Sequence, residues 1–256
     1  MNPAFIVAKN TFKEMIRDRV LYFIVFFAVL FMMFCVALGQ LSYKEIFRLS
    51  VSLGLGGIHI CFCGLTIFLG CSVFYRELER KTIYTLLVRP ISRAEYLIGK
   101  YLGLIAVLFV MLLGFILCFT LTELTLGTPI LWTSYYSFVG FFFEACILLA
   151  ITFLFSSFAK PFVAISGSLS LFLVGHWIAN MNSIAQLEVT PEGFRTASKI
   201  ISKILPDLEM LNWRDYAIAQ THVPPKELGM GIVLAIAWSF VIFCLSLIIF
   251  RKKDFE

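Results

Sequence analysis

The chain alternates long apolar runs with short charged segments. Six runs, at about residues 21–38, 50–74, 98–121, 133–158, 161–178 and 228–250, approach the roughly 20 residues that an α-helix needs to cross a hydrocarbon core. The first carries no charge, the second only His59 and the fourth only Glu144. Each run predicts a membrane-spanning helix. Ahead of the first, Phe5, Ala8, Phe12, Met15 and Ile16 recur at helical spacing while Lys9, Lys13 and Arg17 line another face. Asn2 and Pro3 suit an N-cap and first helical residue. Residues 1–20 therefore predict a basic amphipathic helix lying on the membrane surface. No small-residue cleavage site closely follows the first run, which argues against a removable signal peptide.

Composition strengthens this picture. Of 256 residues, 60% are hydrophobic and 14% charged, and 28 are Phe; soluble domains carry about 25% charged residues. A domain of this length could not bury so much apolar surface in water. The expectation is an all-α integral membrane protein, one transmembrane domain over 1–256. A soluble enzyme, a disordered chain and a nucleic-acid binder are excluded. All seven cysteines lie in apolar runs and read as small buried hydrophobes. With six spans both termini share one side, where fourteen of the 21 Lys and Arg fall. The positive-inside rule makes that side the cytosol.

The most informative segment is cytosolic, at 75–97. From Tyr75 to Lys100 the chain reads YRELERKTIYTLLVRPISRAEYLIGK. Leu78, Ile83, Leu86 and Leu87 predict a short surface helix to about Val88. Arg89-Pro90 ends it, because a residue before proline avoids the α region. Ser92-Arg-Ala-Glu95 then forms a capping box, with Ile91 and Tyr96 as hydrophobic staple. The result is a surface helix, a proline turn and a firmly capped transmembrane helix.

These residues resemble a known family. The run Glu77-Leu-Glu79-Arg-Lys-Thr82, Leu86-Leu87, Pro90-Ile91-Ser92-Arg93, Glu95 and Gly99-Lys100 is similar to the cytosolic loop of ABC-2 type transporter permeases. The family pattern is acidic-x-acidic-x-Gly-Thr, leucines, Pro-Val/Ile-Ser-Arg, an acidic residue and Gly-Lys. Lys81 departs from it, standing where Gly is common. The Phe250-Arg-Lys-Lys-Asp254 ending, the six-span plan, the N-terminal surface helix and the long loop before the last span are similar too. Within the family the chain most resembles the branch containing the permease for copper-site maturation of nitrous oxide reductase.

The resemblance implies an ABC-2 (type V exporter-like) membrane domain that moves a substrate out of the cell. A separate nucleotide-binding ATPase subunit, holding ATP and Mg, would dock on the 75–97 segment. Arg76, Glu77, Glu79, Arg80, Thr82 and Arg93 are the expected docking residues. A second, shorter contact is expected at Ser156–Pro161, through Ser157 and Lys160. A second permease copy, identical or a sister chain, completes the assembly, and a bacterial inner membrane is the natural setting. No G-x-x-x-x-G-K-[ST] loop occurs in this chain, so no cofactor and no catalytic residue is expected in it.

Three other features remain. Glu144, mid-span after Phe141-Phe-Phe143, is a functional candidate by default because a charge there is expensive. The competing reading is a protonated carboxyl bonded to a Ser, Thr or Tyr of a neighbouring helix. His59, Cys61 and Cys63 invite a metal reading, but residues 59 and 63 share a helix face while 61 points away, so a three-ligand site there is awkward. His176 with Met181, at the outer end of the fifth span, offers no better set. In the outer segment 179–227, Thr190-Pro-Glu192 starts an amphipathic helix with Phe194, Ala197, Ile201 and Ile204 on one stripe, resting on the membrane or capping the outer mouth. That loop could also meet an extracytosolic partner, and Trp213 and Tyr216 suit an interfacial return. The few polar residues in the spans favour a lipidic or amphipathic substrate. They also keep open a membrane anchor or assembly scaffold with no transport path of its own.

Overall fold

A computed structural model describes residues 3–17, scattered positions between 26 and 37, 46–79, 92–129, 131–187 and 191–252. Among them every element is helical. The elements are α1 (Pro3–Ile16), α2 (Ile46–Glu79), α3 (Arg93–Leu126), α4 (Trp132–Phe158), α5 (Pro161–Ala185), α6 (Glu192–Ile204), a 3₁₀ turn (Glu209–Leu211), α7 (Arg214–Ile218) and α8 (Pro225–Lys252). Five helices, α2, α3, α4, α5 and α8, are long and apolar enough to cross a membrane. The expected span at 21–38 lies largely outside the described residues.

The helix ends follow the local sequence. Ser92 and Glu95 form the expected capping box: the Glu95 N–H donates to Ser92 Oγ (3.2 Å), and the Ser92 N–H donates to Glu95 Oε2 (2.9 Å). At the other end of α3, Gly127 adopts φ 66°, a left-handed cap that costs glycine little. Ala159 and Lys160 alone separate α4 from α5, whose first residue is Pro161. Proline is tolerated there because the first-turn N–H has no helical partner.

α4 is the axis of the bundle, with α2, α3, α5 and α8 packed around it. Tyr101 donates to the Cys146 carbonyl at 3.0 Å, and Ser157 pairs with Ser246 at 3.0 Å. These bonds tie α3 and α8 to α4. Phe62, Phe138, Phe141 and Phe153 fill the interior, while α5 and α8 turn Phe162, Leu173, Trp177, Val233 and Phe240 outward. The ends of α2, α3 and α8 at Glu79, Arg93 and Arg251 define one face of the bundle, here the terminal face. The opposite, loop face carries residues 186–187 and 191–224.

α1 lies along the first turns of α3. Its buried residues are Ala4, Val7, Thr11 and Met15, whereas Phe5 is 61% exposed. The reason is backbone proximity. A methyl group at Gly99 would lie 2.6 Å from the Ala4 carbonyl oxygen, and one at Gly103 would lie 2.7 Å from that of Ala8. The Gly-x-x-x-Gly spacing opens a trough that only small side chains of α1 can enter. Lys100, buried between these glycines, reaches Glu14 at 3.9 Å.

Two further differences concern the loop face. α5 continues to Ala185, past the expected end of its span at 178. Trp213 is not an interfacial anchor: it is 2% exposed, packed inside the bundle near Gly140 and Gly231. The amphipathic helix near 190–204 is present as α6. The six described cysteines are free.

The trough yields a prediction. Gly99→Ala should lower the thermal unfolding midpoint of the purified protein, by about 1–3 kcal/mol in stability, since neither backbone can yield. Gly114→Ala, where a methyl group meets nothing within 4 Å, should leave the midpoint within error.

Candidate functional site

Glu144 is fully buried on α4, one turn beyond Phe141 and Gly140. Its partners come from two other helices. His59 Nε2 of α2 lies 2.8 Å from Glu144 Oε2, and His176 Nε2 of α5 lies 3.6 Å from Oε1. Cys63, one turn after His59, directs its Sγ at Oε1 from 3.6 Å. The expected hydroxyl partner of Glu144 is thus replaced by an imidazole. His59 stacks on Phe141, ring centroids 4.6 Å apart, and His176 lies 4.7 Å from Phe172. The two imidazole centroids are 5.3 Å apart. A carboxylate, two imidazoles and a thiol therefore converge in the apolar middle of the bundle.

The loop face is closed over this cluster by residues 206–213. The Leu208 N–H donates to the Gly175 carbonyl at 3.2 Å, next to His176 in sequence. Leu208, Leu211, Trp213 and Ala217 are buried. Gly140 and Gly175 make the seat: a methyl group at Gly140 would run into the Leu211 carbonyl oxygen, and one at Gly175 would lie 2.7 Å from Leu208 Cγ. The segment is therefore a re-entrant plug, which α-helical neighbours allow because its backbone is enclosed by protein. Burial pushes the carboxyl of Asp207, in this plug, above its ordinary range, and the hydrogen bond from the Glu209 N–H draws it partly back.

Of the other sequence candidates, Arg76, Glu77 and Glu79 occupy the last turns of α2, and Arg80 and Thr82 lie outside the described residues. Arg93 opens α3 and donates to the Arg251 carbonyl of α8 at 3.2 Å. Ser157 is 1% exposed, its hydroxyl engaged with Phe153 and Ser246, so it faces α8 and not the surface. Lys160 is exposed at the start of α5. His176 is not paired with Met181, and Cys61 stays outside the cluster.

One buried acid escapes the sequence reading. Glu123 of α3 accepts from Ser50 of α2 at 3.4 Å and from Thr128. The apolar run stops at 121, so Glu123 reads as a loop residue. Its signal lies in Gly127, whose helix-capping role extends α3 past the run.

Taken together, the bundle is a multi-pass, all-α integral membrane protein with one polar cluster at its centre and a rigidly anchored terminal face. A family model for the ABC-2 family transporter protein matches residues 5–255. The chain belongs to that family and is a membrane permease subunit of an ABC transporter. Members generally work as dimers with an ATP-binding subunit, the permease itself not being catalytic. No individual curated protein matches the chain.

The plug gives a second prediction. Gly140→Ala should release residues 206–213. Hydrogen–deuterium exchange at the Leu208 amide should accelerate by about tenfold or more, as an overpacking cost of ~1–3 kcal/mol implies. Exchange in α3 should not change.

Proposed function

We propose that this permease exports a lipidic or amphipathic substrate, driven by ATP hydrolysis in a separate subunit seated on residues 75–97. The observation that carries the reading is the construction of the terminal face. α3 begins with a closed capping box, α1 is wedged against it through Gly99 and Gly103, and Arg93 ties it to the end of α8. A push on the segment just before Ser92 is transmitted to α3 and α8 with little slack, because each junction is a hydrogen bond or a backbone contact. α2 leads into the same segment at Glu79. Movement there can rock whole helices, a rigid-body switch.

The acidic residues Glu77 and Glu79 and the basic residues Arg76, Arg80 and Arg93 supply the charge pattern for docking, with Lys160 on the same face as a second contact. The apolar outward faces of α5 and α8 favour a substrate or a second permease copy that presents apolar surface. Export, the dimer and a bacterial inner membrane follow the family resemblance. A membrane scaffold without a transport path is the reading that replaces this one if no ATPase binds.

Co-purification tests it. The tagged chain, co-expressed with the ATP-binding subunit encoded beside it, should retain that subunit. Glu77→Lys combined with Glu79→Lys should reduce retention at least tenfold while the permease's own unfolding midpoint holds. Failure of the wild type to retain any ATPase overturns the proposal and leaves the scaffold reading in its place.

A further inference from the structure

We infer that His59, Glu144 and His176 form a binding site for one divalent late transition-metal ion of the zinc type, built inside the membrane. The inference stands apart from the transport reading, because nothing in it depends on ATP or a partner.

The geometry carries it. The donor atoms of His59, Glu144 and His176 lie within 4.8 Å of one another, although they come from three different helices. Ligands about 2.0–2.1 Å from a tetrahedral Zn²⁺ stand about 3.4 Å apart. The separation of His176 Nε2 from Glu144 Oε1, 3.6 Å, is of that size. His59 Nε2 lies 2.8 Å from the other carboxylate oxygen, Oε2, a contact it gives up to reach a metal held through Oε1.

A second, independent observation is the state of His176. Its Nδ1 lies 3.2 Å from the Phe172 carbonyl oxygen. A carbonyl only accepts, so Nδ1 carries a proton. In the neutral ring Nε2 is then a bare lone pair, and that nitrogen is buried without a hydrogen-bond partner. It faces a carboxylate oxygen across 3.6 Å, too far for a hydrogen bond. Two electron-pair donors aimed at one point in an apolar interior call for a cation between them. Fixing an imidazole through its second nitrogen to a carbonyl is the usual means of presenting the first to a metal.

The donor set selects the ion. Two imidazoles and one carboxylate match zinc and its neighbours, with a fourth position left open. They offer too few oxygens for calcium or magnesium.

The experiment uses the full chain in lipid nanodiscs, incubated with Zn²⁺ and desalted. Elemental analysis should find about one zinc per chain in the wild type. It should find less than a tenth of that in His176→Gln and in Glu144→Gln. Replacing zinc with Co²⁺ should give visible d–d bands in the wild type and none in His176→Gln. Zinc should also raise the wild-type unfolding midpoint, a readout that needs no variant to fold. Wild-type zinc at the level of empty nanodiscs, with no shift in that midpoint, overturns the proposal, as does full zinc content in folded His176→Gln.

Discussion

The bundle is organised around a carboxylate that has been taken wholly out of water. At the centre of a bilayer an acidic side chain costs at least about 2.5 kcal/mol even by lenient measures, so Glu144 requires polar company at its own depth. α2 brings His59 and Cys63, and α5 brings His176. Sliding either helix by one residue, 1.5 Å along its axis, would spoil these separations. The register of these two helices is thus set by one side chain on the helix between them, and apolar packing alone could not do this. Phenylalanines and leucines tolerate small slips that a directed polar contact does not.

Around that centre, glycine does a different job on each face. Gly99 and Gly103 admit α1 to the base of α3, and Gly140 and Gly175 admit the 206–211 turn between α4 and α5. Both contacts are backbone against backbone, and in both a single methyl group would be too much. The terminal face becomes stiff by this means. The loop face is closed by a short plug instead of a long lid, and the plug sits one helical turn from Glu144.

α4 links the two faces. It runs from Gly140 under the plug, through Glu144 in the cluster, to Ser157 against Ser246 of α8, whose end is in turn held by Arg93. A displacement at the start of α3 therefore has a continuous packed route to the polar cluster and the plug. Bistable, closely packed helices are the kind of material through which such coupling travels.

The apolar runs by themselves determined a helical membrane protein, because only helices satisfy their own backbone in lipid. The capping box at Ser92 and Glu95 was equally legible, being set by four consecutive residues, and so was the amphipathic helix near 190–204. The cluster was only half legible. Glu144 and His59 stand out as polar positions inside apolar runs, but His176 reads as a mouth residue, since Asn180, Asn182 and Ser183 end the apolar run early. The helix nonetheless continues to Ala185, with Asn182 bonded to Ser198 of α6, and this sets His176 about 14 Å (9 residues) from that end of α5. His59, 13 residues into α2, and Glu144, 12 residues into α4, lie about 20 and 18 Å deep. Trp213 was misplaced for a related reason, because an aromatic residue in a loop looks interfacial until glycines on α4 and α8 make room for it. Local pattern decides which segments become helices. Which polar groups meet depends on helix depth and rotation, and only packing in three dimensions sets those.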